Sequence, residues 1–416
     1  MFSCRRRLTA TLAAVAFTAV AVAKPSPLPP FDGDFSGDLQ ATRIPRAPLL
    51  HWTMQVRSVE SGERTATLTL SGPGTTLRAE IGVDAEGDGW WKIASAEFGA
   101  DAWCPALIAG LGPAFEHVTA TGKIVMTGSG VLHAWQPTGR FAFEWTDGRV
   151  QNETDGWHVE GVSLLGAFAL ETPGGFPHSE TPAEFSIRTV VSQRFGARNA
   201  LIRGVLRSDR TFALETAQIE IAGGSASVDP AVIQLAPVVL DLHLRITDVG
   251  LQDVAALVPS GLTESSGRVN GALQIGWSEA AGFQLGAGNL VLGESEPAFL
   301  RLAPAPGFLT DRVGERIDLL PKSFGPLARW TRPVNPAYAD LQAVELGRVA
   351  LQVTKLSVQL TPEGDANGRT AVVRLRAQPA KPGSLIDEVT FEINVAGPLS
   401  QVLKLGLNKG FSVDVR

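Results

Sequence analysis

The chain has 416 residues, 44% of them hydrophobic and 19% charged, with 44 Gly, 27 Pro, two Cys and a net charge of −6. So much apolar residue with so little net charge excludes a disordered chain. The acidic balance also argues against nucleic acid as a partner, because that binding rests on neutralising phosphate. Gly and Pro together make up about one residue in six, a density of punctuation that suits many short strands better than long helices.

Residues 1–23 carry Arg5-Arg6-Arg7, then an apolar stretch, then Ala21-Val22-Ala23. This order predicts a signal peptide cleaved after Ala23 and a periplasmic destination. The alternative is an uncleaved inner-membrane anchor facing the periplasm, although the stretch is short and Ala/Thr-rich for a span needing roughly 20 apolar residues. Cleavage removes three arginines and takes the net charge to −9. It leaves Cys104 as the one cysteine, so no internal disulfide is expected despite an oxidising compartment. Residues 24–40 read as a tether, led by the proline-rich Lys24–Pro30.

Residues 41–200 form a Trp-rich β region. Thr65–Leu70 alternates, Gly72-Pro73-Gly74 turns the chain, and Leu77–Val83 alternates again. Phe141, Phe143 and Trp145 share one face, with Thr146-Asp147-Gly148 read as the turn that follows. Seven of the nine tryptophans lie between Trp52 and Trp157. They are read as sheet packing, where aromatics are favoured, with a sugar-stacking platform as the alternative. Asp84, Glu86 and Asp88 around Gly87 and Gly89 predict a solvated hairpin loop rather than a calcium turn.

Residues 201–416 hold the clearest alternation. Leu240, Leu242, Leu244 and Ile246 point one way, and Asp241, His243, Arg245 and Thr247 the other. Leu351 and Val353 begin a further strand whose phase switches at Thr354-Lys355 before Leu356, Val358 and Leu360, which predicts a bulge or bend. Val389, Phe391, Ile393 and Val395 oppose Thr390, Glu392 and Asn394. Short helices are expected over Leu251–Val258, within 311–330 and over Leu399–Leu407. The six histidines show no metal-ligand spacing, and no His-Glu-x-x-His, Gly-x-Ser-x-Gly or phosphate-loop pattern occurs. No metal, cofactor or catalytic residue is therefore assigned.

From about Gln218 onward three stretches stand in succession: Ile219–Pro230, Leu240–Leu251 and Ser260–Gly271. Taken together they look like one recurrent unit: a strand, a short Asp-Val-x-Leu helix, then a Gly-x-x-x-Gly entry into the next strand. Val389–Leu407 adds a strand and a Gly-Pro-Leu segment. These residues resemble the YdbH-like family, within the AsmA/TamB-like group of periplasmic bridge proteins. The resemblance implies an elongated, curled, mostly antiparallel sheet of roughly 18 to 22 strands at about 4.8 Å each, with an apolar groove for phospholipid acyl chains. It also implies transport of phospholipid between inner and outer membranes without enzymatic chemistry, and a small outer-membrane lipoprotein as a β-augmentation partner. The residues expected to line the groove are Leu240, Leu242, Leu244, Ile246, Leu351, Val353, Val389, Phe391, Ile393 and Val395. The alternative fold is a β-sandwich, and the alternative function an exported adhesion or carbohydrate-binding module.

Overall fold

A computed structural model describes residues 32–396 apart from 41–45, 60–61, 109–116, 173–174, 193–195, 256–261, 279–281, 318–331 and 367. The expected signal peptide (1–23), the proline-rich Lys24–Pro30 and the expected helix Leu399–Leu407 lie outside the described residues. The chain is mostly β: among the described residues it is an antiparallel sheet fold of 22 strands with few short helices and no closed barrel. It divides into two compact units, Met1–Glu220 with Asp229–Leu240, and Ile221–Val228 with Asp241–Arg416.

The first unit is a meander. It begins with β1 (Gly33–Leu39), β2 (Leu50–Ser58), β3 (Arg64–Gly72), β4 (Thr75–Val83) and β5 (Gly89–Gly99). Helix α1 (Ala100–Ile108) follows, then the long strands β6 (Val118–His133), β7 (Gln136–Asn152) and β8 (Trp157–Leu170). Next come the short β9 (His178–Ser179), then β10 (Ala183–Val191), β11 (Gly196–Leu206) and β12 (Thr211–Ile221). Each strand from β1 to β8 pairs antiparallel with the next, β8 pairs with β10, and β10 with β11.

The β3–β4 hairpin falls where alternation and Gly72-Pro73-Gly74 place it. Gly72 pairs with Thr75, and Gly74 takes φ +58°, a conformation that glycine adopts without steric cost. The β4–β5 loop is a self-bonded acidic turn: Asp84 Oδ1 accepts the backbone N–H of Glu86 at 3.0 Å and of Asp88 at 2.8 Å.

Thr146-Asp147-Gly148 is a bulge rather than a turn. β7 runs straight through it, its register against β8 jumps between Trp145 and Gly148, and Asp147 has φ +48°. Asp-Gly chemistry suits a turn and a bulge equally well. What decides is the continuing partner strand, β6, whose register shifts between Thr121 and Lys123.

The second unit takes in β13 (Gly224–Val228), α2 (Leu251–Ala255), β16 (Leu262–Ser266) and β17 (Arg268–Ser278). Between β13 and α2 lie β14 (Ala231–Leu235), which belongs to the first unit, and β15 (Val238–Gly250), which leaves it after Leu240. β18 (Gly282–Leu292), β19 (Ala298–Leu302), helix α3 (Pro336–Glu345), β20 (Leu351–Leu360), β21 (Arg369–Pro379) and β22 (Val389–Ala396) complete it. Within the expected helical stretch 311–330 the described part is a 3₁₀ turn, Thr310–Arg312.

β20 holds the anticipated bulge. Its register against β21 slips between Val353 and Lys355. Its first half pairs with β19 and its second with β18 along the same edge. The phase switch thus lets one strand keep apolar residues inward against two successive partners.

Helix α3 was not foreseen. Asn335 caps it, accepting the Ala337 N–H at 3.1 Å, and Pro336 occupies its first turn. Its Val344 is fully buried with Leu351, Ala377 and Val389. Glu345 at its end is 2% exposed. A carboxylate is out of place at a helix C-terminus, and here it is satisfied from outside the helix. It accepts the N–H of Leu309 at 2.9 Å, the N–H of Thr310 at 3.0 Å and the Thr310 hydroxyl at 2.8 Å.

Candidate functional site

The residues expected to line a groove occupy two environments. Leu240, in the first unit, and Leu242, Leu244 and Ile246, in the second, are half-buried, while the intervening Asp241, His243, Arg245 and Thr247 are exposed. Leu244 and Ile246 pair with Val228 and Ala226 of β13. Leu351, Val353 and Val389 are buried in packed clusters, Leu351 and Val389 beside Val344 of α3. Phe391 is half-buried and stacks on Phe308 at 6.1 Å between ring centroids; Ile393 is 36% exposed. The Val395 backbone pairs with Ala371, and its side chain lies outside the described residues.

Ile393 belongs to a longer file. Gly271, Leu290, Val358, Val373 and Ile393 are successive cross-strand partners through β17, β18, β20, β21 and β22. Leu290, Val358 and Val373 are half-buried.

The first unit carries an apolar face that sequence reasoning did not assign. Across β1 to β5 the partners are Phe35, Met54, Leu68, Ala79 and Ile93, all half-buried. The file continues through Gly128, Phe141 and Phe168 of β6 to β8. Seven inter-strand steps of about 4.8 Å make it about 34 Å long. A second file, Gly37, Trp52, Leu70, Leu77, Ala96, Met126, Phe143 and Gly166, runs beside it two residues along each strand, three on β5 where the register shifts between Ile93 and Ala96. The cluster of Leu70, Leu77, Ala96 and Met126, with Trp52, Leu68, Ala79, Ile93 and Phe98, draws only on β2 to β6. It is built from hydrogen-bonded neighbours, not from two facing sheets. The signal was present as the alternation of Leu50, Trp52, Met54 and Val56, but only the register lines it up with β3 to β8.

Helix α1 closes one side of this face. Ala100 and Cys104 pack on Val118, Ala120 and Ile124. Trp103 donates its indole N–H to Thr75 Oγ1 at 2.8 Å and meets Phe98 edge-on at 6.2 Å. Burial raises the Cys104 thiol above its ordinary value, which keeps it protonated and unreactive at neutral pH.

The opposite, polar face is laced by cross-strand ion pairs such as Lys123–Glu97 at 2.7 Å and Arg188–Asp147 at 2.9 Å. Their side chains are roughly half exposed or more, so each adds little to stability. Among the described residues no group of three or more His, Cys, Asp or Glu could hold a metal ion, and no helix is long and apolar enough to cross a membrane.

The first unit is thus an antiparallel sheet with one wet face and one long apolar face. A family model described as "Intermembrane phospholipid transport protein YdbH" matches residues 7–291. The chain belongs to the YdbH-like family, whose members transport phospholipid between membranes of the cell envelope. The match takes in the first unit from residue 7 onward and the stretches up to Gly271 that carry the resemblance. Neither a curated relative nor a solved structure matches the chain.

Proposed function

We propose that this chain is a non-catalytic periplasmic carrier whose apolar sheet face shelters phospholipid acyl chains on their way between the inner and outer membranes. One observation carries the reading: the file of half-buried apolar side chains through Met54, Leu68 and Ile93, assembled from consecutive strands of a single sheet. A greasy sheet face needs a helix, a second sheet or a ligand against it. A family of phospholipid transporters supplies the third.

The energetics suit passive movement. Each methylene kept from water is worth about 0.8 kcal/mol, so a chain of fourteen methylenes gains on the order of 10 kcal/mol. The bilayer offers the same gain, and the transfer between the two is close to isoenergetic. A half-bilayer of hydrocarbon is about 15 Å thick, so a file of about 34 Å accommodates a full acyl chain with room to slide. In the second unit β22 is hydrogen-bonded to β21 along one edge. β-Augmentation at its other edge is the mode by which a small outer-membrane lipoprotein would join that sheet.

Native mass spectrometry of gently purified protein tests the reading. Bound glycerophospholipid should be seen directly, should be lost on delipidation and should return on incubation with phospholipid vesicles. A bare protein in all three states would overturn it.

A further inference from the structure

On the apolar face of the first unit, aromatic rings lie down over glycines. A methyl group placed at Gly166 would sit 2.5 Å from Cε2 and 2.7 Å from Cζ of Phe168. At Gly148 it would sit 2.5 Å from Cε2 and 2.6 Å from Nε1 of Trp145. At Gly37 it would sit 3.0 Å from Nε1 of Trp52, and at Gly128 3.1 Å from Cζ3 of Trp91. A side chain standing upright stays about 6 to 7 Å from the Cβ position two residues along its own strand, and about 5 Å from the one opposite. These rings are therefore tipped onto the backbone. Trp91 reaches furthest: from β5 it crosses Gly128 of β6 and donates its indole N–H to Thr138 O of β7 at 2.9 Å.

We infer that Gly37, Gly128, Gly148 and Gly166 set the depth of the acyl track, by letting Trp52, Trp91, Trp145 and Phe168 lie flat as its floor. The inference rests on the lipid reading above. Upright rings would stand as posts across the file, and flat ones offer a continuous apolar surface over which a chain slides. A smaller aliphatic side chain at the aromatic position also lies below the track and leaves room for a methyl group at the glycine, so ring and glycine act as a pair. A glycine retained only for folding behaves differently. Alanine in a strand restricts the unfolded chain and tends to raise stability, and would leave ligand capacity unchanged.

The test counts lipids per chain by native mass spectrometry after incubation with vesicles of palmitoyl-oleoyl phosphatidylethanolamine and phosphatidylglycerol. Gly166→Ala, which must push Phe168 off the floor, should lower loading at least threefold with the circular dichroism spectrum unchanged. Adding Phe168→Leu should restore the wild-type count, and Phe168→Leu alone should keep it. Gly37→Ala should lower loading by a smaller factor, restored by Trp52→Leu. Should Gly166→Ala not fold, the Gly37 pair decides by the same criterion. Wild-type loading in the folded alanine variants, or no recovery on shrinking the ring, would overturn the inference. A wild-type chain that takes up no lipid would instead overturn the lipid reading itself.

Discussion

The carboxylate of Glu345 and the hydroxyl of Thr310 lie 2.8 Å apart, both residues buried, and join the end of α3 to the 3₁₀ turn at Thr310–Arg312. Removing the acceptor strands the two N–H groups and the hydroxyl it satisfies. Glu345→Ala should therefore destabilise the second unit by about 2–3 kcal/mol, measured by urea denaturation.

The same contact has a pH signature. Burial pushes the Glu345 carboxyl up, and the hydrogen bonds from Leu309, Thr310 and Gly307 together outweigh it, so the group is held below its ordinary value. A carboxyl depressed by folding adds stability above its unfolded pKa of about 4.3, and that stability is lost as pH falls through the lower folded value. Melting temperatures from pH 7 down to pH 3 should drop more steeply for the wild type than for Glu345→Gln in the acid limb. Parallel profiles would show that the carboxylate contributes nothing specific.

Core and track should separate by mutation. Leu351 is fully buried beside Val344 of α3. Leu351→Ala should cost about 2–5 kcal/mol with lipid loading per folded molecule unchanged. Met54 is half-buried on the file of the first unit. Met54→Asp should cut lipid loading severalfold while the far-ultraviolet spectrum stays native. The reverse pattern would place the ligand in the second unit's packed cluster.

The β20 bulge makes a prediction about deletion. Thr354 has no cross-strand partner, because Val353 pairs with Ala377 and Lys355 with Arg376. Deleting it restores plain alternation with Leu351, Val353, Leu356 and Val358 on one face, so the variant should fold, with a modest loss from the 3.1 Å hydrogen bond of Thr354 Oγ1 to Arg376 O. Deleting Ser357 also brings Val353 and Val358 into phase, but sets Lys355 rather than Leu356 on the apolar face, so that variant should lose markedly more stability. Circular dichroism of the two variants compares them directly.

Much of this architecture is legible in local pattern. The alternation over Leu240–Ile246, the Gly72-Pro73-Gly74 hairpin and the bulge at Thr354 all follow from period and turn chemistry. Trp145-Thr146-Asp147-Gly148 misleads because positive φ at Asp147 serves bulges as readily as turns, and only the unbroken β6 beside it settles which. Helix α1 escapes notice for a local reason too, since it contains Pro105, whereas α3 has a legible start in Asn335-Pro336. The burial of Leu351 and Val389 depends on α3 and so could not be read from their own strands. The file from Phe35 to Phe168 depends on seven registers at once, and each residue alone is merely one position in an alternating strand.

Leu68 and Thr69 test the central claim most directly, being adjacent in β3, the first half-buried on the apolar face and the second exposed on the other. A photo-crosslinking amino acid placed at each position in turn, in cells, should capture phospholipid from Leu68 and none from Thr69. Equal capture at both positions, or none at Leu68 in a folded protein, would contradict the account.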